Sequence, residues 1–217
     1  MSTSDRSQQP AASERAYRWI KDRILDGRLG GGQLISEGEA ATALELSRTP
    51  VREAFLRLEV EGLLRLYPKR GALVVPVSAD EVVEVTEARI LVESHAATTV
   101  IARAVQEEVA ERMATVLGDQ HSVDVPGEMA RFSRLDRQFH ATLVDAAGNS
   151  LLTQFYSGLH DRQVRITNSA LHRTPGRHAA ILAEHAELCE LLRSGDAGTF
   201  ATRLAAHISA HGALLDS

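Results

Sequence analysis

Between Ser36 and Val77 the apolar residues of this chain change from helical to alternating spacing, and that change constrains the fold more than any other feature. Ser36-Glu37-Gly38-Glu39 has the S-x-x-E form of a capping box and opens a short helix carrying Ala40, Ala43 and Leu44. Ser47 caps another, with Pro50 tolerated in its first turn, a stripe of Val51, Ala54, Phe55 and Leu58, and Gly62 as its stop. Leu63–Tyr67 and Ala72–Val77 then become short β-prone runs, and Pro68-Lys69-Arg70-Gly71 between them reads as a hairpin with a basic tip. An earlier helix runs from Ser13 to Asp26, where Ala16, Tyr17, Ile20, Ile24 and Leu25 recur at helical spacing before Gly27. Three short helices and a hairpin predict a winged helix-turn-helix over residues 13–77, behind an aperiodic tail at 1–12.

From Ser78 the pattern is helical to the end, so the fold class is mainly α. A capping box at Ser78-Ala79-Asp80-Glu81 starts a long helix with Val82, Val85, Ala88, Val92 and Ala96. Helices near 106–118, 128–147, 150–171, 176–194 and 197–214 complete a six-helix bundle over 78–217, with Phe132, Phe139 and Phe155 as core. The lone Cys189 excludes an internal disulfide framework and cysteine-rich zinc sites, leaving His and carboxylates to carry any chemistry. No run approaches about 18 apolar residues and the first ten residues are polar, so a cytoplasmic protein without a membrane span or signal peptide is expected.

The net charge of −5 is unevenly spread. Glu14–Val77 holds 11 Lys and Arg against 9 Asp and Glu, whereas Ser78–Ser217 holds 12 against 19. Lys21 and Lys69 are the only lysines, and arginine suits bidentate contacts with phosphate, guanine or carboxylate. Arg48 and Arg52, one turn apart, with the Lys69-Arg70 tip, acquire a common purpose if that face meets DNA.

In the bundle, Asp136 and His140 stand four apart on one helix, which puts both side chains on one face, while His185 and His207 lie on two later helices. A carboxylate and three imidazoles make a coordination set for a borderline divalent ion such as zinc, nickel or copper. Spacing alone leaves the set open, because His207 and His211 form a rival pair. Arg89 falls mid-helix among apolar neighbours, where it either pairs with Glu93 or faces a cavity. Phosphate-loop, G-x-S-x-G and H-E-x-x-H signatures are absent from the sequence. The enzyme alternative is a metal-dependent helical hydrolase, since His140 with His160-Asp161 is similar to the HD phosphohydrolases, but it leaves the front of the chain unexplained.

Ser47-Arg48-Thr49-Pro50-Val51-Arg52-Glu53-Ala54, with Leu58-Glu59, Glu61-Gly62-Leu63 and Arg70-Gly71, resembles the winged helix-turn-helix of the GntR family of bacterial transcription regulators. Residues 80–215 resemble the FadR-type C-terminal (FCD) domain through Arg89-x-x-x-Glu93, Asp136-x-x-x-His140, Gly148-Asn149, Glu184-His185, Gly195-Asp196 and His207, with the six helices of the VanR-like branch. The resemblance implies DNA contacts from Ser47, Arg48, Thr49 and Arg52, with Arg70 and Gly71 at the wing. It implies a metal, zinc first, on Asp136, His140, His185 and His207, and a small carboxylate effector gripped by Arg89, with Arg165 a second candidate. A homodimeric repressor on a palindromic operator follows, or a regulator whose signal is the metal itself. The sequence departs from many members at Gly38, where an Arg or other polar residue would supply a DNA contact.

Overall fold

The computed structural model describes residues 11–125 and 127–213. Apart from Ala11 and Ala12, the expected tail lies outside these residues, and Ala12 already begins α1. Contacts within the chain divide it into two compact units that meet at Pro76 and Val77.

In the first unit, α1 (Ala12–Leu25), α2 (Glu37–Leu44) and α3 (Arg48–Val60) surround Ile20, Phe55 and Leu58. All five residues expected on the inner stripe of α1 are buried. The Ser36 box forms in full, its side chain accepting from the Glu39 N–H while Glu39 accepts from the Ser36 N–H. Ala41, not Ala43, joins Ala40 in the core, since α2 turns only its Ala40–Ala41 edge toward α1 and α3. Ser47 is the N-cap residue of α3, yet its hydroxyl makes no capping bond. The hairpin is β2 (Leu64–Tyr67) and β3 (Gly71–Val74), and β3 also pairs with a strand not foreseen, β1 (Leu34–Ile35). Two residues are too few to show an alternating pattern; β1 exists because β3 offers it an edge.

That third strand explains Gly71. Its φ is +97°, and a Cβ there would overlap the Ile35 carbonyl oxygen. Only glycine lets the wing close against β1.

The second unit is a bundle of α4 (Ala79–Ala102), α5 (Gln106–His121), α6 (Met129–Ala146), α7 (Ser150–Gly158), α8 (His160–Arg173), α9 (Arg177–Ser194) and α10 (Ala197–Ala213). The count is seven among the described residues, not six, because the expected helix at 150–171 breaks at Gly158-Leu159 into α7 and α8. Ser78 caps α4 by accepting from the Glu81 N–H. Asn149 caps α7 through the Leu151 and Leu152 N–H groups, and Asp196 accepts from the Thr199 N–H at the start of α10. Phe132 and Phe139 are fully buried as expected, but Phe155 is 50% exposed. In the short α7, Tyr156 is the inward residue, and its neighbour is turned about 100° away.

Gly71→Ala is expected to destabilise the first unit by about 1–3 kcal/mol through positive-φ strain and the clash with Ile35. Gly30→Ala, whose added Cβ meets nothing within 4 Å, is the control. Denaturant unfolding of both variants checks this; equal midpoints would mean the wing does not close as described.

Candidate metal centre and nucleic-acid interface

The seven helices of the bundle deliver polar side chains to one interior region. Asp136 and His140 come from α6, His185 from α9 and His207 from α10, all buried. One ligand atom from each of the four lies within 4.8 Å of all the others. Their nearest contacts are His140 Nε2 to His207 Nε2 at 3.2 Å and His185 Nε2 to Asp136 Oδ1 at 3.5 Å.

The opposite nitrogen of each imidazole is held by a separate partner. His140 Nδ1 donates to Glu93 Oε2 at 2.7 Å, and His207 Nδ1 donates to Glu184 Oε2 at 2.7 Å. His185 Nδ1 lies 2.9 Å from Gln120 Oε1, and its ring stacks on Phe139 with 3.9 Å between centroids. A carboxylate only accepts, so Nδ1 of His140 and of His207 carries a proton, and in the neutral imidazole Nε2 then carries the lone pair. With both rings neutral, the two Nε2 atoms, 3.2 Å apart, face each other as acceptors. A cation between them removes the conflict, and Asp136 with its buried Oδ1, which accepts no hydrogen bond, supplies the negative charge such a cation needs. The donor set fits a borderline divalent ion, and the Glu93, Gln120 and Glu184 contacts are of the kind that would aim imidazoles at one.

Each glutamate is itself clamped. Arg89 Nε donates to Glu93 Oε1 at 2.9 Å and Tyr156 Oη donates to the same oxygen at 2.7 Å. Arg177 donates to Glu184 in a fork at 2.8 and 2.9 Å. Burial would raise the Glu93 carboxyl, but the Arg89 charge beside it and the hydrogen bonds from His140 and Tyr156 outweigh it and hold its pKa at about 2. Burial pushes the Tyr156 hydroxyl the other way, well above its ordinary value. Arg89 thus makes the i,i+4 pair with Glu93, and its Nη2 is buried without a hydrogen bond. Arg165 is buried on α8 with its guanidinium 3.9 Å from Glu81.

His160 and Asp161, the residues of the hydrolase alternative, begin α8 and are not members of the four-residue cluster. The side chain of His211 lies outside the described residues. Sequence reasoning missed the parts played by Glu93, Gln120, Tyr156, Thr167 and Glu184. For Gln120, Tyr156 and Thr167 the one signal was position, since each is a polar residue recurring with the buried stripe of its helix; Glu93 and Glu184 also stand in the motifs Arg89-x-x-x-Glu93 and Glu184-His185.

In the first unit, Ser47, Arg48, Thr49 and Arg52 are exposed at the start of α3, and Arg70 is exposed at the hairpin tip. Arg48, Arg52, Lys69 and Arg70 line one groove of about 750 Å³ that also includes Gly38 and Gly71. Arg52 Nε lies 4.0 Å from Glu37. A Cβ on Gly38 would sit 3.6 Å from Arg48 Nη2, so the absent side chain leaves the space beside that guanidinium open. Arginines at helical spacing and a basic tip on one groove make a surface that can grip phosphates and read base edges.

Residues 12–74 match the model of the bacterial regulatory proteins, gntR family, and residues 84–210 match the FCD domain. The chain is 28% identical to the HTH-type transcriptional regulator YdhC of Bacillus subtilis (strain 168), over 89% of this chain and 86% of that one. It is 30% identical to the gluconate operon transcriptional repressor of the same organism, over 64% and 57% of the two chains. Among solved structures, Escherichia coli McbR/YncC superposes with a TM-score of 0.69 at 20% identity, over 96% of this chain and 98% of that one, which shows the shared fold.

Glu93→Ala leaves Arg89 buried without its partner and should cost about 3–5 kcal/mol of stability. Adding Arg89→Met to that variant should restore much of the loss, because the stranded charge is then gone. Urea melts of the single and double variants test this. A double variant no more stable than the single one would show that the pair is not what the helix interior depends on.

Proposed function

Because the chain belongs to the GntR family of bacterial regulatory proteins and carries an FCD domain behind its DNA-binding winged helix, we propose that it is a metal-containing repressor whose grip on operator DNA is set by a small organic acid. Its relatives are named transcriptional regulators, not enzymes. One observation carries the reading of the bundle: His140 and His207 bring their Nε2 atoms to 3.2 Å from each other, with both Nδ1 atoms tied to glutamates. Asp136, His140, His185 and His207 would hold the ion, and imidazole with carboxylate donors favours zinc. When bound, the ion supplies a positive charge that draws a carboxylate oxygen. Arg89 Nη2 offers that acid a donor while Nε stays on Glu93. Arg165 stands second for the same task, since Glu81 already shares its charge.

In the DNA-binding unit, the N–H groups at the start of α3 and the Ser47 hydroxyl suit a phosphate, and Thr49 adds a second hydroxyl. Arg48 and Arg52 are spaced to enter the major groove, while Arg70 and the Gly71 backbone approach the adjoining strand at the wing. A homodimer would present two such units to a palindromic operator whose half-sites repeat at about 34 Å. Only residues 75–78 separate β3 from α4, a connection too short to absorb a shift of the first bundle helix. An acid bound beside the ion would therefore change operator affinity, and operator DNA would change acid affinity by the same factor. Gluconate names the operon of one relative; for this chain the class is a small organic acid.

Two outcomes test the proposal. Arg48→Ala and Arg52→Ala should each lose about 1–3 kcal/mol of discrimination between operator and scrambled duplex, with little change in stability. Binding across a salt series measures this, and unchanged specificity in both variants removes them from base reading. Elemental analysis after dialysis should find about one divalent ion per chain, lost in His185→Ala and His207→Ala and kept in His160→Ala. Metal that survives His207→Ala but not His160→Ala would overturn the site.

A further inference from the structure

Helix α8 carries a buried side chain that nothing described so far uses. Gln163 is 2% exposed, and neither Oε1 nor Nε2 has a hydrogen-bond partner. A dry amide with all its bonds unmade is a heavy burden on a helix interior, and a methionine or leucine would fill the space without it. One turn further along the same face, Thr167 donates to Asp136 Oδ2 at 3.2 Å, so this face of α8 leads to the metal cluster. Ile166 packs on Val82 and Val85 of α4, and Arg89 is the next turn of that helix beyond Val85. Four buried polar atoms without hydrogen bonds, two on Gln163 and one each on Asp136 and Arg89, thus come from three helices that pack together.

Charge narrows what these atoms can receive. Arg89 offsets Glu93 and Arg177 offsets Glu184, so within this cluster Asp136 is the unbalanced group. With a divalent ion in place the cluster carries a single positive charge. One carboxylate neutralises it; a second would be buried against a neutral amide, where nothing repays its desolvation.

We infer that Gln163 determines effector specificity, accepting a monocarboxylate whose far end is an uncharged hydroxyl or amide and rejecting both the plain alkyl acid and the diacid. This rests on the acid-binding reading above and adds the class of acid. Gln163 both donates and accepts, which matches a hydroxyl or a primary amide and matches neither a methyl nor a second carboxylate as well. A site that makes such a bond discriminates strongly against the analogue lacking it, because the amide is then left unpaired.

The test uses zinc-loaded full-length protein and matched acids of three, four and five carbons. At four carbons these are butyrate, 4-hydroxybutyrate, succinamate and succinate. Affinities come from thermal stabilisation and calorimetry. In at least one length, the hydroxy acid or the amide should bind at least about tenfold more tightly than the alkanoate and the diacid. Gln163→Met should abolish that preference while keeping zinc and the alkanoate. Without any acid it should melt higher by a few degrees, on the order of 2–4 °C, because an unpaired amide has been removed. Gln163→Leu serves if the methionine variant does not fold. A preference unchanged in the variant overturns the inference, as does wild-type protein that binds alkanoates at least as well as their polar-tailed partners. If no acid of any length stabilises the wild type, the acid-binding reading itself fails and this inference falls with it.

Discussion

Two carboxylates, Glu93 buried and Glu184 half-buried, organise the bundle. Glu93 is held by Arg89 and Tyr156 and holds His140; Glu184 is held by Arg177 and holds His207. A carboxylate withdrawn from water is tolerable only when charge and hydrogen bonds surround it, and both glutamates meet that condition. Because each is an acceptor, each keeps a proton on Nδ1 and turns Nε2, the lone-pair nitrogen of the neutral ring, inward. The inward face is then a site that favours a cation, and Asp136 follows as its neutralising partner. Remove either glutamate and the tautomer, the ring orientation and the reason for the arginine beside it go together.

This arrangement ties local helix chemistry to distant parts of the chain. The Gly148-Asn149 and Gly195-Asp196 motifs end one helix and cap the next, so that α6 and α7, and α9 and α10, change direction within a few residues. Such tight turns make α9 and α10 neighbours, and neighbouring helices let Glu184 and His185, adjacent in sequence, serve different purposes. Consecutive helical residues point about 100° apart, so His185 faces the cluster while Glu184 reaches across to His207. In the other unit the same economy appears at the wing, where Gly71 lets β3 lie against β1 and sets the basic tip beside the arginines of α3.

Much of this was legible in the residues, for identifiable reasons. The stripes of α1 and α3, the Ser36 box and the hairpin are local features, determined by periodicity and by hydrogen bonds that close within four residues. Strand β1 and the break at Gly158-Leu159 were not legible, since a two-residue strand has no pattern and Gly158 alone does not stop a helix. Phe155 was misread as core because an aromatic in an amphipathic segment looks the same one position either side of the buried face.

The candidate metal set stood in the sequence as an i,i+4 pair plus two later histidines, and the motif resemblance, not spacing, selected among the alternatives. Sequence by itself determined that the chain joins a winged helix-turn-helix to a helical bundle, with arginines at the head of one helix and Asp and His on the buried face of another. Tertiary structure alone decided which acceptor holds each imidazole, that Arg89 divides its donors between Glu93 and the interior, and that Gln163 is buried without a partner. The reason is physical: helix periodicity is a property of neighbours along the chain, whereas tautomers, ion pairs and unmet hydrogen bonds depend on groups brought together from positions 47 or 67 residues apart.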